Sequence, residues 1–96
     1  MARHRLSRQA RRDLFEILEF GYERFGIAQG DAYAEDLRKV FDLIADTPRI
    51  GRRAERLGPT IRRHEHGPHV ILYEETSYGV HVVAVVHSSR LSRLGG

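Results

Sequence analysis

The sequence predicts an α+β protein in which a helical hairpin packs on one face of a mostly antiparallel sheet. The first half holds two segments with apolar residues at helical spacing, one between Ser7 and Gly26 and one over about 28–45. The second half alternates apolar and polar residues between turn signals, as strands do. Its three predicted strands are 60–66, 69–75 and 80–87. With a short strand at 3–6, the predicted order is β-α-α-β-β-β.

The two helices have clear beginnings and ends. Ser7 offers a hydroxyl for the N-terminus of the first helix, Gly26 suits its C-terminus, and Pro48 ends the second. The apolar face of the first helix is Ala10, Leu14, Ile17, Leu18, Gly21 and Phe25. That of the second is Tyr33, Leu37, Val40, Phe41 and Ile44. Because almost nothing separates the helices, we expect an antiparallel hairpin.

The last predicted strand is apolar on both faces. Alternation places Val80, Val82, Ala84 and Val86 on one face, and His81, Val83, Val85 and His87 on the other. A strand of this kind is usually central and covered on both sides. The segment 49–59, rich in Gly, Pro and Arg, is predicted to be a loop.

Length and composition narrow the classes of protein. The 96 residues predict a single domain, 1–96, with a mobile tail at 88–96. Without cysteine there is neither a disulfide framework nor a thiolate metal site. No apolar run approaches the roughly 20 residues of a membrane helix, and no signal peptide is evident. We expect a cytoplasmic protein with no membrane association, no cofactor and no metal.

The positive charge is concentrated in the second half. The chain has 16 basic and 13 acidic residues, a net charge of +3. From Arg49 onward, eight arginines face four glutamates. This imbalance favours an acidic partner or a nucleic acid, although a merely solvated surface explains it equally well.

Three short motifs follow one another in the first half of the chain. Leu6-Ser7 is followed by Ala10 and Asp13-Leu14 at the entry to the first helix. Phe25-Gly26 precedes Tyr33 and Leu37 in the second helix. After that helix comes a proline, glycine and arginine motif, 48–52.

Three more motifs follow in the predicted sheet: Ile61-Arg62-Arg63, then His69-Val70-Ile71-Leu72-Tyr73, then Val85-Val86-His87. Together the six motifs span about 6–90, and in this order they resemble the ParE-type toxins of the ParE/RelE toxin–antitoxin superfamily. The family's continuation after the last histidine often contains an acidic residue, whereas this chain has Ser88-Ser89-Arg90-Leu91-Ser92.

The resemblance implies a fold, a partner and a target. The fold is that of the superfamily, in agreement with the predicted elements. The implied partner is a ParD-like antitoxin that wraps the toxin, and the implied target is DNA gyrase, inhibited by binding rather than by catalysis. Contact with nucleic acid would then be indirect, through gyrase or through the antitoxin complex at its operator.

The other branch of the superfamily suggests an alternative function, a ribosome-dependent mRNA endoribonuclease of the RelE kind. Such an enzyme needs cations for the phosphate and groups that move protons. The candidate catalytic residues for this alternative are Arg63, Tyr73 and His87, and the alternative expects them to meet on the open face of the sheet. Lys39 is the only lysine in the chain, whereas we expect a lysine-rich helix in the ribosomal branch.

Two sets of residues are candidates for binding. Those proposed to contact the target are Arg62, Arg63, His69, Tyr73, His87, Arg90 and Arg93. Those proposed to contact the antitoxin are Phe15, Tyr22, Tyr33, Arg49, Arg52, Arg53 and Arg56. The first set follows the basic sheet and tail, and the second combines aromatics that one hairpin cannot hide with arginines suited to an acidic partner.

Overall fold

The computed structural model describes residues 3–93 and has the predicted α+β architecture. Two short 3-10 helices, Pro48–Ile50 and Glu55–Leu57, interrupt the connection between the helical and sheet halves. The other elements in chain order are β1 (Arg3–Leu6), α1 (Arg8–Phe25), α2 (Ile27–Asp46), β2 (Arg52–Arg53), β3 (Ile61–His66), β4 (His69–Thr76), β5 (Gly79–His87) and α3 (Ser88–Arg93).

The five strands form one sheet in the order β1-β5-β4-β3-β2. Strand β1 pairs in parallel with β5, and the other neighbours are antiparallel. The predicted fold class and hairpin are therefore confirmed. The segment predicted to be a loop contributes Arg52–Arg53 as an additional edge strand, paired with β3.

The helical hairpin depends on the cap at the N-terminus of α1 and on the junction between α1 and α2. The Ser7 side chain accepts a hydrogen bond from the Ala10 N–H at 2.9 Å and so caps α1 as predicted. One residue, Gly26, joins the helices with φ of 91°, a conformation that disfavours side chains. Its N–H still donates to the Tyr22 carbonyl at 3.1 Å, so the last turn of α1 stays closed while the chain reverses.

The main core lies between the hairpin and one face of the sheet. Leu37, Phe41 and Ile44 of α2 are buried there, as their spacing predicts. The sheet contributes Ile71, Tyr73, Val80, Val82 and Val85. Phe25, predicted to lie on the apolar face of α1, is instead 60% exposed.

A β-bulge changes which residues of β5 face the helices. Leu72 pairs with Ala84 while Tyr73 pairs with Val82, so Val83 has no counterpart in β4. The faces of the strand exchange at this extra residue. Val85 joins the helix-side core, whereas Ala84 and Val86 face the other side. The prediction that Val80, Val82, Ala84 and Val86 share one face is therefore wrong.

The opposite face of the sheet carries a second, smaller core that includes α3. Leu91 is 1% exposed and packs with Val70 and Leu72 of β4. Residues 88–93 are therefore an ordered helix and not the predicted mobile tail, because burial of Leu91 fixes them against the sheet. Residues 94–96 of that predicted tail lie outside the described residues.

Candidate functional site: an apolar groove and a basic edge

An apolar groove opens between the helical hairpin and the turn that joins β3 to β4. Its volume is about 620 Å³. One wall is the side of α1, formed by Ile17, Leu18, Phe20 and Phe25. Tyr33, His69 and His87 form the polar end of the groove. We call this surface the apolar groove.

Large apolar side chains stand in solvent around the apolar groove. Phe20 is 58% exposed and Phe25 is 60% exposed, and their rings meet edge to face with centroids 6.5 Å apart. Ile27, at the start of α2, is 74% exposed. A small protein rarely exposes neighbouring side chains of this size unless a partner covers them.

A shallower depression lies on the other side of α1. Phe15 and Tyr22 line it between Glu19 and Glu23, and Leu18 contributes to both this depression and the apolar groove. The helix α1 thus offers a continuous apolar surface around Leu18. The antitoxin candidates Phe15 and Tyr22 lie in this depression, whereas Tyr33 of α2 lies in the apolar groove.

The polar end of the apolar groove is a cluster of rings. The Tyr33 hydroxyl lies 2.6 Å from Nδ1 of His69, and the Tyr33 ring stacks on His66 with centroids 5.6 Å apart. Burial, and to a lesser degree Asp36, raises the pKa of Tyr33. Burial, followed by His87 and His66, lowers the pKa of His69. Both shifts favour the neutral forms of Tyr33 and His69, which share this hydrogen bond.

A basic edge forms at the opposite end of the sheet. Arg52, Arg53, Arg56 and Arg63 line a polar depression of about 320 Å³ around the second 3-10 helix. Glu65 accepts from Arg52 at 2.6 Å and from Arg63 at 3.0 Å. Desolvation would raise the pKa of Glu65, but these arginines outweigh it and the pKa lies below its usual value. Arg53 also pairs with Glu55 at 3.4 Å, so the four arginines of the basic edge outnumber its two carboxylates, Glu55 and Glu65.

Tyr73 anchors the loop that leads into the basic edge. It is 0% exposed, and its hydroxyl donates to the Pro48 carbonyl at 2.7 Å and accepts from the Gly51 N–H at 2.8 Å. A Cβ on residue 51 would lie 2.4 Å from that hydroxyl, so glycine is required there. Arg62 donates to the Gly51 carbonyl at 2.8 Å. Tyr73, a target-binding candidate, is consequently unable to contact another molecule, and Arg62 is held against this loop.

The three residues predicted for an endoribonuclease do not come together. Tyr73 faces the helices, whereas Arg63 pairs with Leu72 and lies on the other face. His87 pairs with His69, four residues along β4 from Tyr73. The open-face site suggested by the sequence is therefore absent, because the strand register separates its members and Tyr73 is buried.

The remaining candidates are distributed over separate surfaces. Arg49 is exposed and forms an ion pair with Glu75 at 3.5 Å, outside both the apolar groove and the basic edge. His87 is exposed at the end of the apolar groove, and Arg90 is exposed on α3. The side chain of Arg93 lies outside the described residues. The sequence-based candidates did not include His66, although its position across the two-residue turn from His69 is a signal that could have identified it.

Metal-binding clusters and membrane-spanning helices are both missing from the described part of the chain. Its side chains include no group of three histidines or carboxylates placed to hold a metal ion. Among its helices, none combines the length and apolar character that crossing a bilayer requires.

Residues 5–92 match the family described as the ParE toxin of type II toxin-antitoxin system, parDE. The family match defines the class of protein, which is the toxins of type II toxin–antitoxin systems. The chain belongs to this family of toxins. The resemblance inferred from the six motifs is confirmed.

Relatives of the chain cover nearly its whole length. Toxin ParE1 of Caulobacter vibrioides is 34% identical over 93 residues, which are 97% of this chain and 96% of the relative. Toxin ParE1 of Mycobacterium tuberculosis is 36% identical over 87 residues, 90% of this chain and 89% of the relative.

A solved structure described as the chromosomal ParDE TA system from P. aeruginosa has the same fold. Its TM-score is 0.73 over 91% of this chain and 96% of that chain. The sequence identity is 16%, so this likeness concerns the fold.

Proposed function

We propose that this toxin inhibits DNA gyrase by binding it, and that a ParD-like antitoxin holds it inactive by filling the apolar groove. The exposure of Phe20 and Phe25 beside an open groove is the observation that supports binding of an antitoxin. An apolar segment of a partner that covers these rings would be favoured by about 25 cal/mol per Å² of apolar surface removed from water.

An antitoxin bound in this way would also stabilise the toxin. A chain of 96 residues buries a limited fraction of its surface, so the small domain gains from any ligand specific for the folded state. The antitoxin therefore acts as a folding partner as well as an inhibitor.

The proposed target surface is the basic edge together with α3. Family membership suggests gyrase, and the arginines of the basic edge, with Arg90 on α3, suit a surface that recognises acidic groups. The helix α3 begins at Ser88, directly after His87 in the apolar groove. An antitoxin in the groove would therefore reach the start of α3 and obstruct a target docked there.

A supercoiling assay with purified gyrase tests the proposal, together with an mRNA cleavage assay on translating ribosomes. We expect the protein to abolish supercoiling or trap cleavage complexes while the mRNA stays intact. We expect supercoiling to be restored when the toxin is mixed with the antitoxin before gyrase is added. Cut mRNA with normal supercoiling would instead favour the endoribonuclease alternative and overturn the proposal.

A pair of variants tests the antitoxin surface separately. Phe20→Asp places a charge in the apolar groove, and we expect gyrase inhibition to persist while the antitoxin no longer relieves it. Ile50→Asp is the matched control, since Ile50 is 44% exposed and lies outside the residues that line the groove. Equal rescue of both variants by the antitoxin would contradict the assigned surface.

A further inference from the structure

The two histidines at the end of the apolar groove have the same hydrogen-bonding arrangement. Nδ1 of His69 lies 2.6 Å from the Tyr33 hydroxyl. Nδ1 of His87 accepts from the Ser89 backbone N–H at 3.2 Å, and the Ser89 hydroxyl lies 2.8 Å from the same atom. A backbone N–H can only donate, so the accepting nitrogen of neutral His87 carries no proton.

Neutral His87 therefore carries its proton on Nε2, and we assign the same tautomer to His69, with the Tyr33 hydroxyl as the donor. Neither Nε2–H of His69 nor that of His87 meets an acceptor among the described residues. The two rings meet edge to face with centroids 5.8 Å apart, and both line the groove. A buried donor without an acceptor costs about 1–3 kcal/mol, so a partner that covers this end must supply acceptors.

No carboxylate lies among the described residues that line this end of the groove, and Asp36 of α2 is near enough to act on Tyr33. The helix α2 contributes the Tyr33 hydroxyl, with Asp36 acting on it, and β3 contributes the His66 ring. From α3 come Ser89 and, further along, exposed Arg90. The part of α1 that lines the groove is apolar, and the described lining residues include no carboxylate.

We propose that the segment occupying the apolar groove carries a carboxylate that accepts hydrogen bonds from the imidazoles of His69 and His87. This inference rests on the proposed function, because the occupant is the antitoxin segment. It specifies the chemistry of that segment, which is an apolar stretch with an Asp or Glu at the histidine end.

A carboxylate at this place links binding to pH. The negative charge favours the protonated form of the neighbouring imidazole, so formation of the complex takes up a proton and acidification strengthens binding. An occupant that offers only apolar groups or backbone carbonyls gives the opposite result, because a protonated histidine would then be buried without a counter-charge.

The free protein provides the first test. Nitrogen-15 NMR of the histidine rings at neutral pH reports which ring nitrogen bears the proton. We expect a protonated Nε2 and a bare Nδ1 for both His69 and His87. The other tautomer at either residue would remove the donors on which the inference depends.

Affinity for the antitoxin provides the second test. For the wild type, we expect binding to tighten about fivefold between about pH 7.5 and about pH 6, where histidine titrates. His87→Phe keeps a ring but loses the donor, and should bind about tenfold more weakly at the higher pH, with a smaller pH response that is due to His69. His87→Gln keeps a neutral donor, so it should retain much of the affinity at the higher pH but lose part of the tightening.

The controls separate this inference from the proposed function. His64→Phe changes another strand histidine, which lies outside the groove lining, and should behave as the wild type. Thermal unfolding of each variant confirms that it is folded. If the wild type fails to bind the antitoxin, the proposed function fails. Normal binding that weakens on acidification, or that is unchanged in His87→Phe, overturns the carboxylate alone.

Replacing each Asp and Glu of the antitoxin by alanine, which has no accepting oxygen, then locates the partner group. In one of these antitoxin variants, His87→Phe should have no further effect on affinity, because the interaction has already been removed. If every variant remains sensitive to His87→Phe, no antitoxin carboxylate is the acceptor.

Discussion

The carboxylate of Asp13 in α1 accepts a hydrogen bond from the backbone N–H of Val85 in β5, 72 residues later, at 2.9 Å. This contact lies next to the bulge at Val83. The carbonyl of Val83 accepts a hydrogen bond from the Ser7 hydroxyl at 2.6 Å. The start of α1 thus satisfies two backbone groups of β5 that lie beyond Val82, the last residue paired with β1. One charged side chain and one hydroxyl fix the place where the faces of β5 exchange.

Asp13→Ala should destabilise the protein substantially. The substitution leaves the Val85 N–H buried without an acceptor, and hydrogen bonds to charged groups contribute about 1.5–3 kcal/mol. We expect a loss of about 2–3 kcal/mol in the free energy of unfolding, measured by urea denaturation. Asp36→Ala, at an exposed position of α2, should change it by less than about 0.5 kcal/mol. Equal effects of the two substitutions would show that the bulge does not depend on Asp13.

Tyr73→Phe should loosen the loop between α2 and β2. It removes the donor to Pro48 and leaves the Gly51 N–H without its acceptor. We expect a loss of about 1.5–3 kcal/mol and faster amide exchange at Gly51. Tyr78→Phe is a suitable control, because the guanidinium of Arg5 contacts the ring face of Tyr78, 4.4 Å from its centroid, and phenylalanine keeps that ring. Unchanged exchange at Gly51 in Tyr73→Phe would count against the anchoring role.

The free toxin should lose stability in mildly acidic solution because of His69. Burial lowers the pKa of His69 in the folded state, so its stabilising contribution is present above the unfolded pKa of about 6.5 and is lost as pH falls through the folded value. Glu65 and Glu74, whose pKa values are lowered, change the stability only at lower pH, near or below about 4.5. Urea titrations between about pH 7 and about pH 5 should therefore show a decline in stability that His69→Gln reduces. An identical decline in this variant would assign the effect to other groups.

Arg90→Glu should weaken gyrase inhibition without affecting the fold. Arg90 is exposed on α3, while the neighbouring Leu91 holds that helix to the sheet. We expect about tenfold more protein to be needed for the same loss of supercoiling, with an unchanged melting temperature. Arg11→Glu, a reversal of charge at an exposed site on α1, serves as the control for net charge. Equal potency of the two variants would place the target surface elsewhere.

Periodicity was sufficient to predict the helical hairpin and the principal strands. The spacing of Leu37, Phe41 and Ile44 corresponds to a face that is buried in the structure. The bulge could not be predicted, because valine at positions 82, 83, 85 and 86 satisfies either alternation. Only the contacts from Ser7 and Asp13, which depend on tertiary structure, select the observed one.

The sites were less predictable than the fold. Tyr73 has the sequence context of an exposed functional tyrosine, but its strand register turns it towards Pro48 and Gly51. The helix α3 is too short to show a helical period, and a single buried side chain, Leu91, determines its position. The histidine cluster needs the ends of three strands to converge, and strand order is not visible in a single sequence.

The parallel pairing of β1 with β5 affects how the molecule is made. Residues 3–6 can join the sheet only when residues 79–87 are available to pair with them. The sheet is therefore completed only after residues 79–87 have been synthesised. Contacts between such distant parts of a sequence also slow folding. During that interval the apolar side of α1 is exposed on an incomplete domain, and the antitoxin proposed above would find this surface before the toxin has completed its fold.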